Sequence, residues 1–153
     1  MQRNWFSVAV KYEKTAEEGK IVKAVENYLV DALSFTEAEA RINTEMKPFI
    51  SGEFIVSKVR RARINELFTT NMSDKIYSAK VMFISLDEDK GVEKRTPSKM
   101  ITRASDIEDA FKSINEGMKG TMADYEIYSI TETNFIDIYE YVAPEKVEEK
   151  SDD

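Results

Sequence analysis

Phe6-Ser7-Val8-Ala9-Val10-Lys11-Tyr12 and Tyr77-Ser78-Ala79-Lys80-Val81-Met82-Phe83 carry apolar residues at matching places, about 71 residues apart. The same offset sets Glu53-Phe54 against Asp124-Tyr125 and Val59 against Ile130. It sets Ile64-Asn65-Glu66-Leu67-Phe68 against Phe135-Ile136-Asp137-Ile138-Tyr139. A constant offset of this kind marks two copies of one supersecondary unit. What both copies share belongs to the scaffold, and what one copy alone carries is where function is sought.

Working outward from that match, each copy reads as strand, strand, helix and a long strand. Trp5 to Tyr12 alternates, with Phe6, Val8, Val10 and Tyr12 on one side and Trp5, Ser7, Ala9 and Lys11 on the other. A polar connection with Gly19 leads to a second strand, about Lys23 to Ala32. The equivalents in copy two are Ile76 to Leu86, a turn from Asp87 to Gly91, and a strand near Lys99 to Ala104. Ser34-Phe35-Thr36-Glu37 and Ser105-Asp106-Ile107-Glu108 each fit a capping box, and Thr36 offers a second start for the first helix. Phe35, Ala38, Ile42, Met46 and Phe49 recur at helical spacing, as do Ile107, Ala110, Phe111, Ile114 and Met118. Pro48 closes the first helix, and Gly117 or Gly120 closes the second in a left-handed cap. The final segments, Gly52 to Phe68 and Ala123 to Tyr141, are too long for plain strands. A bend or break is expected near Arg63 and Asn134.

The expected fold is therefore α+β. Two tandem ββαβ repeats, about residues 5–70 and 76–141, form a pseudo-twofold, mainly antiparallel sheet of six to eight strands. The two helices pack on one face of it. Residues 1–142 make a single domain, and 143–153 read as an acidic disordered tail.

Composition narrows the chemistry. The 153 residues are 42% hydrophobic and 33% charged, an ordinary globular balance. There is no cysteine and no histidine. Disulfides, thiolate sites and Cys nucleophiles are excluded, and so are the commonest general base and the commonest transition-metal ligand. The reading is a non-enzymatic protein with no cofactor and no metal. Met1-Gln2-Arg3-Asn4-Trp5 does not open a signal peptide, and no apolar run approaches the ~18 residues of a membrane span. A cytoplasmic protein is expected. Net charge is -7, but Glu145 to Asp153 contributes five acids against two lysines, so a local basic surface on the body is compatible with it.

Such a surface is suggested by Lys58, Arg60, Arg61 and Arg63. Copy two has Ser129, Thr131, Glu132 and Asn134 there, so the shared scaffold does not demand the cations. Strand alternation points Lys58 and Arg60 one way and Arg61 and Arg63 the other. Basic side chains beside flat rings suit single-stranded nucleic acid, where cations follow phosphates and aromatics stack on bases. Trp5, Lys11 and Tyr28, with Tyr128 depending on register, are the further candidates. The plainer alternatives are an edge strand whose charges block edge-to-edge pairing and a Trp that closes the end of the sheet. The acidic tail resembles a tethered polyanion that competes for a basic groove or recruits a protein partner, or it simply solubilises. Asp87-Glu88-Asp89 near Gly91 lacks calcium-loop spacing and reads as a turn.

Two stretches carry a family resemblance: Tyr28-Leu29-Val30-Asp31-Ala32-Leu33-Ser34-Phe35-Thr36-Glu37-Ala38-Glu39-Ala40-Arg41 and Glu116-Gly117-Met118-Lys119-Gly120-Thr121-Met122-Ala123-Asp124-Tyr125. Here the chain resembles an uncharacterised domain-of-unknown-function family of Bacteroides-type bacteria and crAss-like gut phages. The resemblance covers about Trp5 to Tyr141 and implies a bacterial or phage cytoplasmic setting. It carries over no catalytic residue.

The expectation is thus sequence-tolerant binding of single-stranded nucleic acid in phage or bacterial DNA metabolism, by a monomer or homodimer. The alternatives are a protein-interaction module, acting as adaptor or inhibitor, or a small-ligand or nucleotide binder between the repeats.

Overall fold

The computed structural model describes residues 4–141, so the acidic tail expected at 143–153 lies outside the described residues. Eleven elements follow in chain order. They are β1 (Trp5–Thr15), a short 3-10 turn (Glu17–Gly19), β2 (Ile21–Asp31), α1 (Phe35–Met46), β3 (Phe54–Ala62) and β4 (Glu66–Phe68). Then come β5 (Lys75–Asp87), β6 (Val92–Ala104), α2 (Ile107–Gly117), β7 (Asp124–Glu132) and β8 (Phe135–Tyr139). The long final segments do break, at 63–65 and 133–134, beside the expected Arg63 and Asn134.

The class is α+β, but the strands form two four-stranded sheets rather than one. Their orders are β3-β1-β2-β8 and β4-β6-β5-β7. The reason lies in the breaks. After each break the chain does not extend its own sheet: β4 joins the sheet of β5, β6 and β7, and β8 joins that of β1, β2 and β3. The described residues accordingly divide into two compact units, 4–61 with 138–141, and Ala62–Asp137.

In the first unit β1 and β2 are antiparallel, with Trp5 opposite Asp31 and Thr15 opposite Ile21. The face toward α1 holds Phe6, Val8, Val10, Tyr28 and Val30 against Ala38, Ile42 and Met46. Phe54, Val56 and Val59 pack on that cluster from β3. Their spacing changes from two to three residues after Val56. One extra residue in the strand does this, re-aiming all that follows.

In the second unit β5 pairs antiparallel with β6 and β7, and β4 pairs parallel with β6. Ala79, Val81 and Met100 face Ile114 and Met118, while Tyr77 and Ala104 face Ala110. The β5–β7 register slips between Lys80 and Val81, which leaves Tyr128 as the extra residue. Asn65 ties β4 to β6 twice: its backbone N–H donates to Lys99 O at 2.8 Å, and its Oδ1 accepts from Lys99 N at 2.8 Å.

The helices differ in detail from the sequence expectation. Ser34 caps α1, accepting from Glu37 N at 3.1 Å, while Glu37 Oε1 accepts from Leu33 N at 2.7 Å. The cap of α2 is Asp106, one residue later than the capping box placed it; its Oδ1 accepts from Asp109 N at 2.8 Å. Phe35, Phe49, Ile107 and Phe111 are exposed and do not belong to the core stripe. The helices rest on their sheets through small Ala38 and Ala110 with Ile42 and Ile114, so the buried stripe is narrower than the spacing suggests.

Candidate functional site

Lys58 and Arg60 follow from the strand phase. Val59 packs toward α1, so its neighbours in β3 project from the opposite face of the sheet. Ser57 Oγ donates to Ala9 O at 3.3 Å, which sets the level of this stretch against β1. Lys11 shares the face, directly opposite Val25, and Glu13 stands opposite Lys23. The hairpin ends of β1 and β2, with Gly52 to Ile55, enclose an open concavity of about 860 Å³. Lys11, Glu13, Lys23, Val25 and Ile55 are among its walls. Val25 and Ile55 are largely exposed within it. The face therefore joins cations to apolar surface.

Lys58 and Arg60 are exposed and have no ion-pair partner among the described residues. Arg61 behaves differently. It turns to the α1 side, where its guanidinium lies 5.6 Å from the Phe6 ring centroid and donates to Asn4 Oδ1 at 3.3 Å. That is a packing role with a cation–π component. Arg63 lies past the end of β3, in the other unit, and is exposed. The four-residue cluster is thus not one patch. Two of its members share a face, a third packs on the core, and the fourth lies in the break between β3 and β4.

The two expected stacking residues are not available. Trp5 is 4% exposed, at the closed end of the face that carries Lys11. Leu29 and Asp31 beside it are also buried. Strand alternation gave the correct side, but this end of the second face is covered too. Tyr28 is 5% exposed, because it sits on the α1 side opposite Val8, inside the core. Its hydroxyl donates to Glu26 Oε1 at 3.0 Å, and Tyr12 donates to Glu26 Oε2 at 3.1 Å. Burial, then the Glu26 carboxylate, pushes both phenols above their ordinary range. Copy two has Phe83, Ser98 and Met100 at these places by register, so the Tyr–Glu–Tyr bridge is specific to the first unit. Tyr128 is exposed, but its hydroxyl is engaged by Arg95, which also reaches Glu126 at 3.0 Å and Glu93 at 3.1 Å.

The second sheet carries cations that sequence reasoning missed. Lys80 and Lys99 stand directly opposite one another on β5 and β6, and Ser129 flanks Lys80 on β7. With Ser78, Pro97 and Thr131 they line a shallow cavity of about 320 Å³ on the face away from α2. Their separation in sequence hides them; only the hairpin register brings them together. By the 71-residue offset, Ser129 and Thr131 occupy the places of Lys58 and Arg60. Each sheet therefore carries cations on the face away from its own helix, the first from β3 and the second from β5 and β6.

No group of three or more Asp, Glu, His or Cys side chains suited to a metal ion occurs among the described residues. None of the described helices is long and apolar enough to cross a membrane. A comparison with curated proteins finds no match. A family model does match, over residues 4–141, and by it the chain belongs to the family described as a domain of unknown function, DUF4494.

Proposed function

We propose that the protein is a non-enzymatic binding protein whose ligand is a polyanion, single-stranded DNA or RNA read through its phosphates. The observation that carries this reading is the pair Lys58 and Arg60. Both project from the same face of β3, exposed and without a carboxylate partner, where the matching strand of the second unit has hydroxyls. A scaffold that only needed a protected edge would not need the cations on one copy alone. With Trp5 and Tyr28 in the core, affinity rests on charge and not on stacking, so it is modest, sequence-tolerant and steeply salt-dependent. The setting we infer is DNA metabolism in the cytoplasm of a bacterium or of its phage-infected cell.

The test is fluorescence anisotropy of labelled oligothymidylate and oligouridylate at two salt concentrations. Binding that weakens with salt, and whose log–log salt slope falls by about 0.7 for each phosphate contact removed in Lys58→Ala and Arg60→Ala, supports the reading. No binding to either strand at low salt sinks it.

A second reading is a protein-interaction module. It rests on the exposed Ile21, Val25 and Ile55, the last two lining the concavity beside Lys11. Binding of that kind would be insensitive to salt and lost in Val25→Asp or Ile55→Asp.

A further inference from the structure

Lys80 and Lys99 pose a physical problem that a purely structural role does not solve. Residues directly opposite across antiparallel strands have Cβ atoms about 5 Å apart, and like charges in that arrangement are destabilising. Neither ammonium has an ion-pair partner among the described residues. Two carboxylates further along this face, Glu93 and Glu126, are engaged by Arg95. Asp124 stands opposite Ile84, toward the hairpin end. The hydroxyls of Ser78, Ser129 and Thr131 surround the pair, and none has a hydrogen-bond partner among the described residues. The strand irregularity at Tyr128 adjoins Lys80, and bulges of this kind often re-aim side chains beside binding sites.

We propose that this cavity on the second sheet is a phosphate-binding site. Two ammonium groups and three hydroxyls that can each donate converge on the cavity, which suits a phosphoryl oxyanion. Lys80 and Lys99 contact separate oxygens of the phosphoryl group, and Ser129 and Thr131 fix its orientation. Bound phosphate turns the like-charge pair from a repulsion into a bridge. The site is built from residues of the second unit alone, so it does not rest on the nucleic-acid reading of Lys58 and Arg60. The phosphoryl group has two sources, a free phosphate monoester or the diester of a nucleic-acid backbone.

The test uses the whole chain and its Lys80→Gln and Lys99→Gln variants. Thermal unfolding is followed in inorganic phosphate and in sodium chloride at equal ionic strength, alongside amide NMR titrations. The expected result is a higher melting temperature in phosphate than in chloride for the native protein, and loss of that difference in either variant. Amides of Lys80, Lys99 and Ser129 shift with phosphate and saturate. In chloride the variants melt at or above the native protein, because the unliganded pair is repulsive. A parallel titration with oligothymidylate separates the sources: saturating shifts at these amides mark the diester, and their absence marks the monoester. Equal melting temperatures in the two salts, or a phosphate response that survives both substitutions, overturns the proposal.

Discussion

Gly117, the last residue of α2, lies against the ring of Phe68 in β4, so close that a Cβ on the glycine would overlap the aromatic atoms. The contact is made at β4, the strand of the second sheet that comes directly after β3 in the chain. Gly117→Ala is expected to destabilise by about 1–3 kcal/mol through overpacking, although alanine favours a helix by up to about 1 kcal/mol. Urea unfolding checks this. Phe68→Leu in the same chain recovers part of the loss, a non-additivity that identifies the ring as the cause.

The Tyr12–Glu26–Tyr28 bridge predicts alkaline behaviour. Both phenols titrate above their ordinary value of 10.0 in the fold, through burial first and the Glu26 carboxylate second. In the unfolded chain they ionise near 10, so above that pH the unfolded state has lost protons that the folded state keeps. Stability is then flat through neutral pH and falls as pH rises from about 10 toward the raised folded values. Denaturation midpoints from pH 8 to 11 test it. Glu26→Gln narrows the drop, because the charge opposing phenolate formation is gone.

At the start of α2 the cap distinguishes two neighbouring residues. Asp106→Ala is expected to cost about 0.5–2 kcal/mol, and Ser105→Ala less, since Asp106 supplies the oxygen that accepts from Asp109 N. Chemical denaturation of the two variants decides between them.

Asp109 gives an acid-side signature. Its carboxylate accepts from Ser105 N at 2.8 Å and Asn71 Nδ2 at 2.9 Å, which holds it below its ordinary 3.8. Its stabilising contribution is present above that value and is lost as pH falls through the lower, folded one. Asp109→Asn therefore reduces the stability difference between neutral and acid conditions, measured by denaturation at pH 7 and pH 2.5.

Trp5 is the single tryptophan and is almost wholly enclosed. Its emission is expected to be blue-shifted, poorly quenched by iodide, and unchanged by oligonucleotide. A red-shifted, accessible fluorophore would contradict the placement of β1.

Much of this was legible in the chain. The α+β class and the strand–strand–helix–strand order were read from the 71-residue offset, though one sheet of six to eight strands was expected where two of four form, and the burial pattern of Phe54–Ala62 recurs from Tyr125 to Thr133. The breaks at Arg63 and Asn134 were visible because strand-like runs were too long. The first half of β6 was not: Val92 to Pro97 is polar and carries a proline, and it is a strand only because β5 supplies a full-length antiparallel partner. Alternation placed Trp5 on the correct side of β1 but could not reveal that both faces are closed at that end. Likewise, Lys58 and Arg60 could be assigned to one face from spacing alone. Lys80 and Lys99 needed register, which a sequence read locally does not contain.

The crossing of β4 and β8 bears on how the protein is made. The second unit is one continuous stretch, Ala62–Asp137, whereas the first is interrupted by all of it. During synthesis β1, β2, α1 and β3 leave the ribosome first, yet their sheet lacks a strand until β8 follows. The unit that begins earliest is therefore completed last. A cut or frameshift after residue 137 would leave the second unit's strands intact and the first sheet open at β2, an exposed edge ready to pair with another chain.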